Sequence, residues 1–121
     1  MQYLIDSNII IYYLNGDKNI ASFIEEHIEE SAISLVTYYE VLDYGFSAQE
    51  EKIVKGFLDR FEIIHISKNI IHQALTNRKL KKIKMADNFI LATAQKFELN
   101  IVTRNTKDFS SFPVRIVNPF T

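Results

Sequence analysis

Short β-branched and apolar runs alternate with longer stretches of helical periodicity, and this alternation sets the strongest limit on how the chain can fold. Tyr3-Leu4-Ile5 comes first and meets a polar turn, Asp6-Ser7-Asn8. Ile9 to Leu14 then reads as a helix with Gly16 as its stop. Ile20, Phe23, Ile24, His27 and Ile28 recur at helical spacing, with Glu25, Glu26, Glu29 and Glu30 on the other face. Ala32 to Val36 is a second run, too brief for a helix. From Thr37 the pattern is helical again through Tyr38, Val41, Leu42 and Phe46, and a further helix carries Ile53, Val54, Phe57, Leu58 and Phe61. Ile63 to Ile66 reads as a third strand. Ser67 caps a helix carrying Ile70, Ile71, Ala74 and Leu75. A helix from Ala86 to Phe97 precedes Ile101 and Val102 as a fourth strand, and Val114, Ile116 and Val117 offer a fifth. Strands separated by helices pair in parallel, so the expected fold is α/β: a three-layer α/β/α sandwich around a mostly parallel sheet.

With 121 residues, 47% of them hydrophobic, the chain can fill one core and not two, so one domain over residues 1–121 is expected. The absence of cysteine excludes disulfides, thiolate zinc sites and thiol catalysis, and fits an intracellular, cytoplasmic protein. The apolar N-terminus lacks a basic leader and carries Asp6 and Asn8 early, so it does not read as a signal peptide. No apolar run approaches the roughly 20 residues that span a bilayer, and no membrane partner is expected. A net charge of −1 leaves only the local placement of charge to speak about partners.

In sheets of this kind ligands gather at the carboxyl ends of the strands. Asp6 falls there, directly after the first strand, although Asp is equally at home as a helix cap. Glu40 follows the second strand, where Thr37-Tyr38-Tyr39-Glu40 also fits a capping box. Asp87 opens a helix that must run antiparallel to the fourth strand, because only Glu98, Leu99 and Asn100 separate the two; that puts Asp87 at the same edge. Asn105 and Asp108 follow the fourth strand, where turn formation is their ordinary role. Singly, each has a structural reading. Jointly, Asp6, Glu40, Asp87 and Asp108 come from remote parts of the chain to one edge, where gathered like charges need a cation to stay ionised. Oxygen ligands without cysteine or a paired histidine motif select Mg²⁺ or Mn²⁺. Such an ion suits phosphodiester hydrolysis.

A carboxylate site repels a polyanion, so a nuclease needs cations nearby. Arg78, Lys79, Lys81, Lys82 and Lys84 crowd the approach to Asp87, and Lys82 and Lys84 are expected substrate contacts. Arg104 reads as a phosphate contact or as the partner of an acid. His27, His65 and His72 share no ligand spacing, and the tyrosines, Tyr12 among them, read as packing residues before stacking ones.

These residues give the sequence its likeness. It resembles the PIN-domain ribonucleases, and most closely the VapC-type toxins of bacterial toxin–antitoxin modules. The segments Tyr3 to Asn8, Ser34 to Gly45, Met85 to Ala94 and Ile101 to Phe109 occur in the family's order and span almost the whole chain. The resemblance implies a PIN-like sandwich, Mg²⁺- or Mn²⁺-dependent cleavage of RNA, a cognate antitoxin, and frequently a homodimer. It makes Asp6 and Asp87 the principal metal ligands, and Glu40 the middle acid that binds metal or positions water. Asp108 matches a frequent acidic position in the last motif, and Asn105 stands where many relatives have Asp. Asn88 and Leu91 stand where small or apolar residues are common.

Two other functions stay open on the sequence. A non-catalytic RNA- or protein-binding module on the same scaffold would suit Asn105 and a purely capping Glu40. A phospho-receiver domain is disfavoured, since Ile66 leads into Ser67-Lys68-Asn69 where that class needs an acceptor Asp.

Overall fold

Side chains that point alternately to the two faces of very short strands divide the core in two. The computed structural model describes residues 1–120. Its elements run β1 (Tyr3–Ile5), α1 (Ser7–Leu14), α2 (Lys18–His27), β2 (Ser31–Ser34), α3 (Leu35–Leu42), α4 (Ala48–Leu58), β3 (Glu62–Ile64), α5 (Lys68–Leu80), α6 (Met85–Phe97), β4 (Asn100–Val102) and β5 (Ile116–Val117). Short 3-10 turns lie at Ile28–Glu30 and Thr106–Asp108. The strands form one sheet in the order β3-β2-β1-β4-β5, and every pairing is parallel.

Successive strand residues face opposite sides of a sheet. Leu4, Ala32 and Ile101 accordingly pack with Ile70 and Ala74 of α5 and Ile90 and Leu91 of α6. Their neighbours Ile5, Ile33 and Val102 pack on the other face with Ile9, Ile20, Ile24, Val41, Val54 and Leu58 of α1 to α4. Each fully buried Ile or Leu adds roughly 1.5–3 kcal/mol, which is why strands of three or four residues hold together. The three-layer α/β/α sandwich expected from the sequence is the observed fold. Among the described residues, no helix is long and apolar enough to cross a membrane.

Several local expectations shift. The helix after β2 begins at Leu35, because the Ser34 hydroxyl accepts the Val36 N–H at 3.1 Å and caps it there. Thr37 is thus a buried helical residue, and Thr37-x-x-Glu40 is not a capping box. A capping box does form at Ser47 and Glu50, at the start of α4. Helix α3 stops at Leu42, so Phe46 lies beyond it, past a Gly45 held at φ 99°. The third strand ends at Ile64 and leaves His65 exposed outside it. Ile53 and Leu75, assigned to apolar helix faces, are also exposed.

Chain order explains where a ligand can sit. From β1 the chain winds outward through β2 to β3, then returns through α5 and α6 to β4, on the other side of β1. The winding direction reverses between β1 and β4, and such a reversal opens a crevice at the carboxyl ends of the two strands. Asp6 and Thr103 are the residues immediately beyond those ends.

Candidate active site

Asp6 is only 5% exposed, and the structure keeps both of its sequence readings. Its Oδ1 accepts the Ser7 N–H at 2.8 Å as the cap of α1. Its Oδ2 accepts the Thr103 hydroxyl at 2.8 Å and the Asn8 side-chain amide at 3.3 Å. Thr103 Oγ1 in turn accepts the backbone N–H of Asn105 at 2.9 Å. Burial pushes the Asp6 carboxyl up from 3.8 to about 6; the Thr103 and Ser7 hydrogen bonds oppose that shift, and the charges of Asp87 and Glu40 add to it.

Glu40 lies on the exposed side of α3, and its Oε1 accepts the Ser7 hydroxyl at 2.6 Å. Its carboxylate therefore bonds to the first turn of α1, 33 residues away in sequence, rather than to the start of its own helix. Asp87 occupies the first turn of α6, whose cap position is Lys84. Burial raises the Asp87 pKa first, followed by the charges of Asp108 and Glu40, while Lys84 lowers it. Asp87 thus feels Glu40 and Asp108 directly, and Asp6 feels Asp87 and Glu40. The four acids named from the sequence form one electrostatic neighbourhood.

Asp87 and Asp108 line a hollow of about 380 Å³ together with Arg78, Lys81, Lys82, Lys84 and Lys107. Arg78, Lys81, Lys82 and Lys84 of the basic stretch therefore share a hollow with these two acids, and Lys79 does not line it. Asp108 is exposed and accepts the Asn105 side-chain amide, so the two candidates for the last motif act as a bonded pair. Arg104 makes no ion pair among the described residues. Its guanidinium sits over the rings of Phe120 and Tyr12, with Nη1 donating to the Tyr12 hydroxyl at 2.6 Å.

The chain matches the PIN domain family over residues 3–114. It belongs to that family. No curated protein matches it. Among solved structures, a toxin–antitoxin complex from Klebsiella pneumoniae contains a chain 36% identical to this PIN domain, with a TM-score of 0.88 and 98% of each chain covered. DNA-bound VapBC from Salmonella typhimurium is similar at 21% identity and a TM-score of 0.85, covering 98% of each chain. FitAcB from Neisseria gonorrhoeae follows at 21% identity and 0.83, covering 98% of this chain and 99% of that one. The last two bear on the fold alone. Family membership implies an enzyme of the metal-dependent nuclease type.

Whether the residues of this PIN domain suit a divalent ion turns on their spacing as well as their chemistry. Among the described residues, no three acidic or histidine side chains converge into a ready-made metal cage. Mg²⁺ does not require one, since it keeps several waters and binds through one or two carboxylates. A buried carboxylate whose pKa is raised by burial and by the charges of two further carboxylates is the donor such an ion stabilises. The donor set fits.

Sequence reasoning missed Ser7 and Thr103. Ser7 bonds Glu40, and Thr103 links Asp6 to the turn that carries Asn105 and Asp108. Their partners lie 33 and 97 residues away, so no local pattern exposes either one.

Proposed function

We propose that this chain is a Mg²⁺- or Mn²⁺-dependent endoribonuclease of the cytoplasm, the toxin of a type II toxin–antitoxin pair. The observation that carries the proposal is the buried Asp6 at the β1–β4 crevice, coupled by charge to Glu40 and Asp87. Stability alone gives no reason to gather these carboxylates, whereas phosphodiester hydrolysis does. The 36%-identical chain comes from a toxin–antitoxin complex, which supports a cognate antitoxin as partner; RNA as substrate and a homodimer belong to the same reading.

Asp6 and Asp87 would hold the ion, with water completing its shell. When bound, the ion supplies positive charge for the phosphoryl oxygens and lowers the pKa of water. Thr103, Ser7 and Asn8 fix the Asp6 carboxylate in place. Glu40, held by Ser7, takes a proton from the attacking water as the water oxygen bonds to phosphorus and the P–O bond to the leaving oxygen breaks; the leaving oxygen takes its proton from solvent. Asn105 and Asp108 close the rim as a pair, and Lys82 and Lys84 bind the strand's phosphates.

The test is cleavage of total cellular RNA by the purified chain. Cutting is expected with Mg²⁺ or Mn²⁺ and absent with EDTA. Asp6→Asn and Asp87→Asn are each expected to slow it at least about a hundredfold while keeping the fold by circular dichroism, the scale on which one charge-stabilising group acts. Variants that cut as fast as the parent would remove the site assignment. Binding without turnover, whatever the metal or RNA, would leave a non-catalytic module.

A further inference from the structure

A second hollow, of about 250 Å³, is bounded by Asn8, Tyr12, Arg104 and Asn105, and the hydrolytic steps above make no use of its shape. It shares walls with the acids. Asn8 Nδ2 is 3.3 Å from Asp6 Oδ2, and the Asn105 amide bonds Asp108. Whatever fills it lies against the carboxylate cluster.

Arg104 is fixed here to an unusual degree for an exposed cation. Its guanidinium carbon is 4.6 Å from the Phe120 ring centre and 5.2 Å from that of Tyr12. Nη1 donates to the Tyr12 hydroxyl at 2.6 Å, and the Arg104 backbone N–H reaches Asn8 Oδ1 at 3.4 Å. Among the described residues no carboxylate neutralises it, and none accepts a hydrogen bond from its other side-chain donors. An arginine fork can also hold a phosphate, but Lys82 and Lys84 already serve the phosphates in the proposed reading. A planar fork held in advance, with donors to spare, matches two adjacent acceptors on a flat edge; among the bases that is guanine O6 and N7.

We infer that the Asn8–Tyr12–Arg104–Asn105 hollow is a nucleobase subsite that reads guanine beside the scissile phosphate, with Arg104 as the residue that sets specificity. The word scissile rests on the nuclease reading; the base preference does not. It is therefore measured by binding, in EDTA, on the full chain. Fluorescence anisotropy with 2′-O-methyl hexauridylate, and with the same hexamer carrying a single G, A or C, reads it directly. The G hexamer is expected to bind at least about fivefold more tightly than the A or C hexamer, the lower end for a bidentate arginine–guanine contact. Amide resonances of Asn8, Arg104 and Asn105 are expected to shift on adding it. Arg104→Lys keeps the charge and removes the fork, so its loss should fall mainly on the G hexamer and bring the G/A ratio close to one.

Equal binding of the G and A hexamers by the parent overturns the inference. So does a G preference that survives Arg104→Lys, or a loss spread evenly over all four hexamers, which would make Arg104 a phosphate contact. A chain that binds G selectively yet never cuts RNA would sink the nuclease proposal and leave the subsite standing.

Discussion

Asp6 caps α1 and bonds Thr103, yet burial and two neighbouring acids hold its pKa near 6, above the ordinary 3.8. The folded chain therefore grips this proton more tightly than the unfolded chain does. In metal-free protein the contribution to stability is fullest below 3.8 and is lost as pH rises through about 6. Two units at 1.36 kcal/mol each put the loss on the order of 3 kcal/mol. Urea unfolding in EDTA should accordingly show stability falling between about pH 4 and pH 6. Asp6→Asn, which has no charge to bury, should flatten that fall and leave the metal-free variant more stable than the parent at pH 7.5. It should also erase the rise in Tm that Mg²⁺ or Mn²⁺ gives the parent. A variant weaker than the parent at pH 7.5 would show that the cap and the Thr103 bond outweigh the desolvation. The Asp6 position could be read from Tyr3-Leu4-Ile5 leading into a polar turn. Its raised pKa could not, because it depends on Asp87, Glu40 and the packing between β1 and β4.

At the level of elements, α5 and α6 meet through a buried amide network as well as through apolar packing. The Asn77 amide donates to Asn88 Oδ1 at 3.1 Å and Gln95 Oε1 at 2.8 Å, and Asn88 Nδ2 donates to the Ala74 carbonyl at 2.8 Å. Asn77 and Asn88 are both buried. In the sequence Asn88 was simply a polar residue out of place in an apolar helix, since its partner lies 11 residues away on another helix. The failed Thr37–Glu40 box has a related cause: Ser34, three residues earlier, offers the same cap chemistry, and only the end of β2 decides between them. Removing one amide strands another. Asn77→Ala leaves Asn88 Oδ1 without its donor and should destabilise the chain by about 1–3 kcal/mol. Adding Asn88→Ala to that variant should then reduce stability by less than Asn88→Ala does alone. Chemical denaturation of the two single variants and the double variant measures this, and strictly additive losses would show that the two amides act independently. Because Asp87 precedes Asn88, slack between these helices would also reach the carboxylate cluster.

Over the whole molecule, a net charge of −1 gives no overall pull on RNA, so attraction has to come from the way charge is sorted. The fold class was legible because short apolar and β-branched runs are too brief to be helices, and their alternation with helical runs left a parallel sheet as the natural solution. The sorting of charge was only half legible. Arg78 to Lys84 are visibly basic, but their facing of Asp87, Asp108 and Lys107 across one hollow comes from α5 ending at Leu80 and α6 starting at Met85. A strand held there displaces counterions, and each neutralised phosphate contributes about −0.7 to the slope of log K against log salt for single-stranded nucleic acid. Replacing Lys82 and Lys84 together with Ala should therefore flatten that slope by up to about 1.4. The parent and variant should also converge in affinity at high salt, where released counterions no longer favour binding. The measurement is best made in EDTA, so that cleavage does not remove the ligand. Lys84 also lowers the Asp87 pKa, so its loss should move any pH dependence of metal binding at Asp87 upward as well. An unchanged slope would reduce Lys82 and Lys84 to solvated surface charges and leave any hold on a polyanion to Arg78, Lys81 and Lys107.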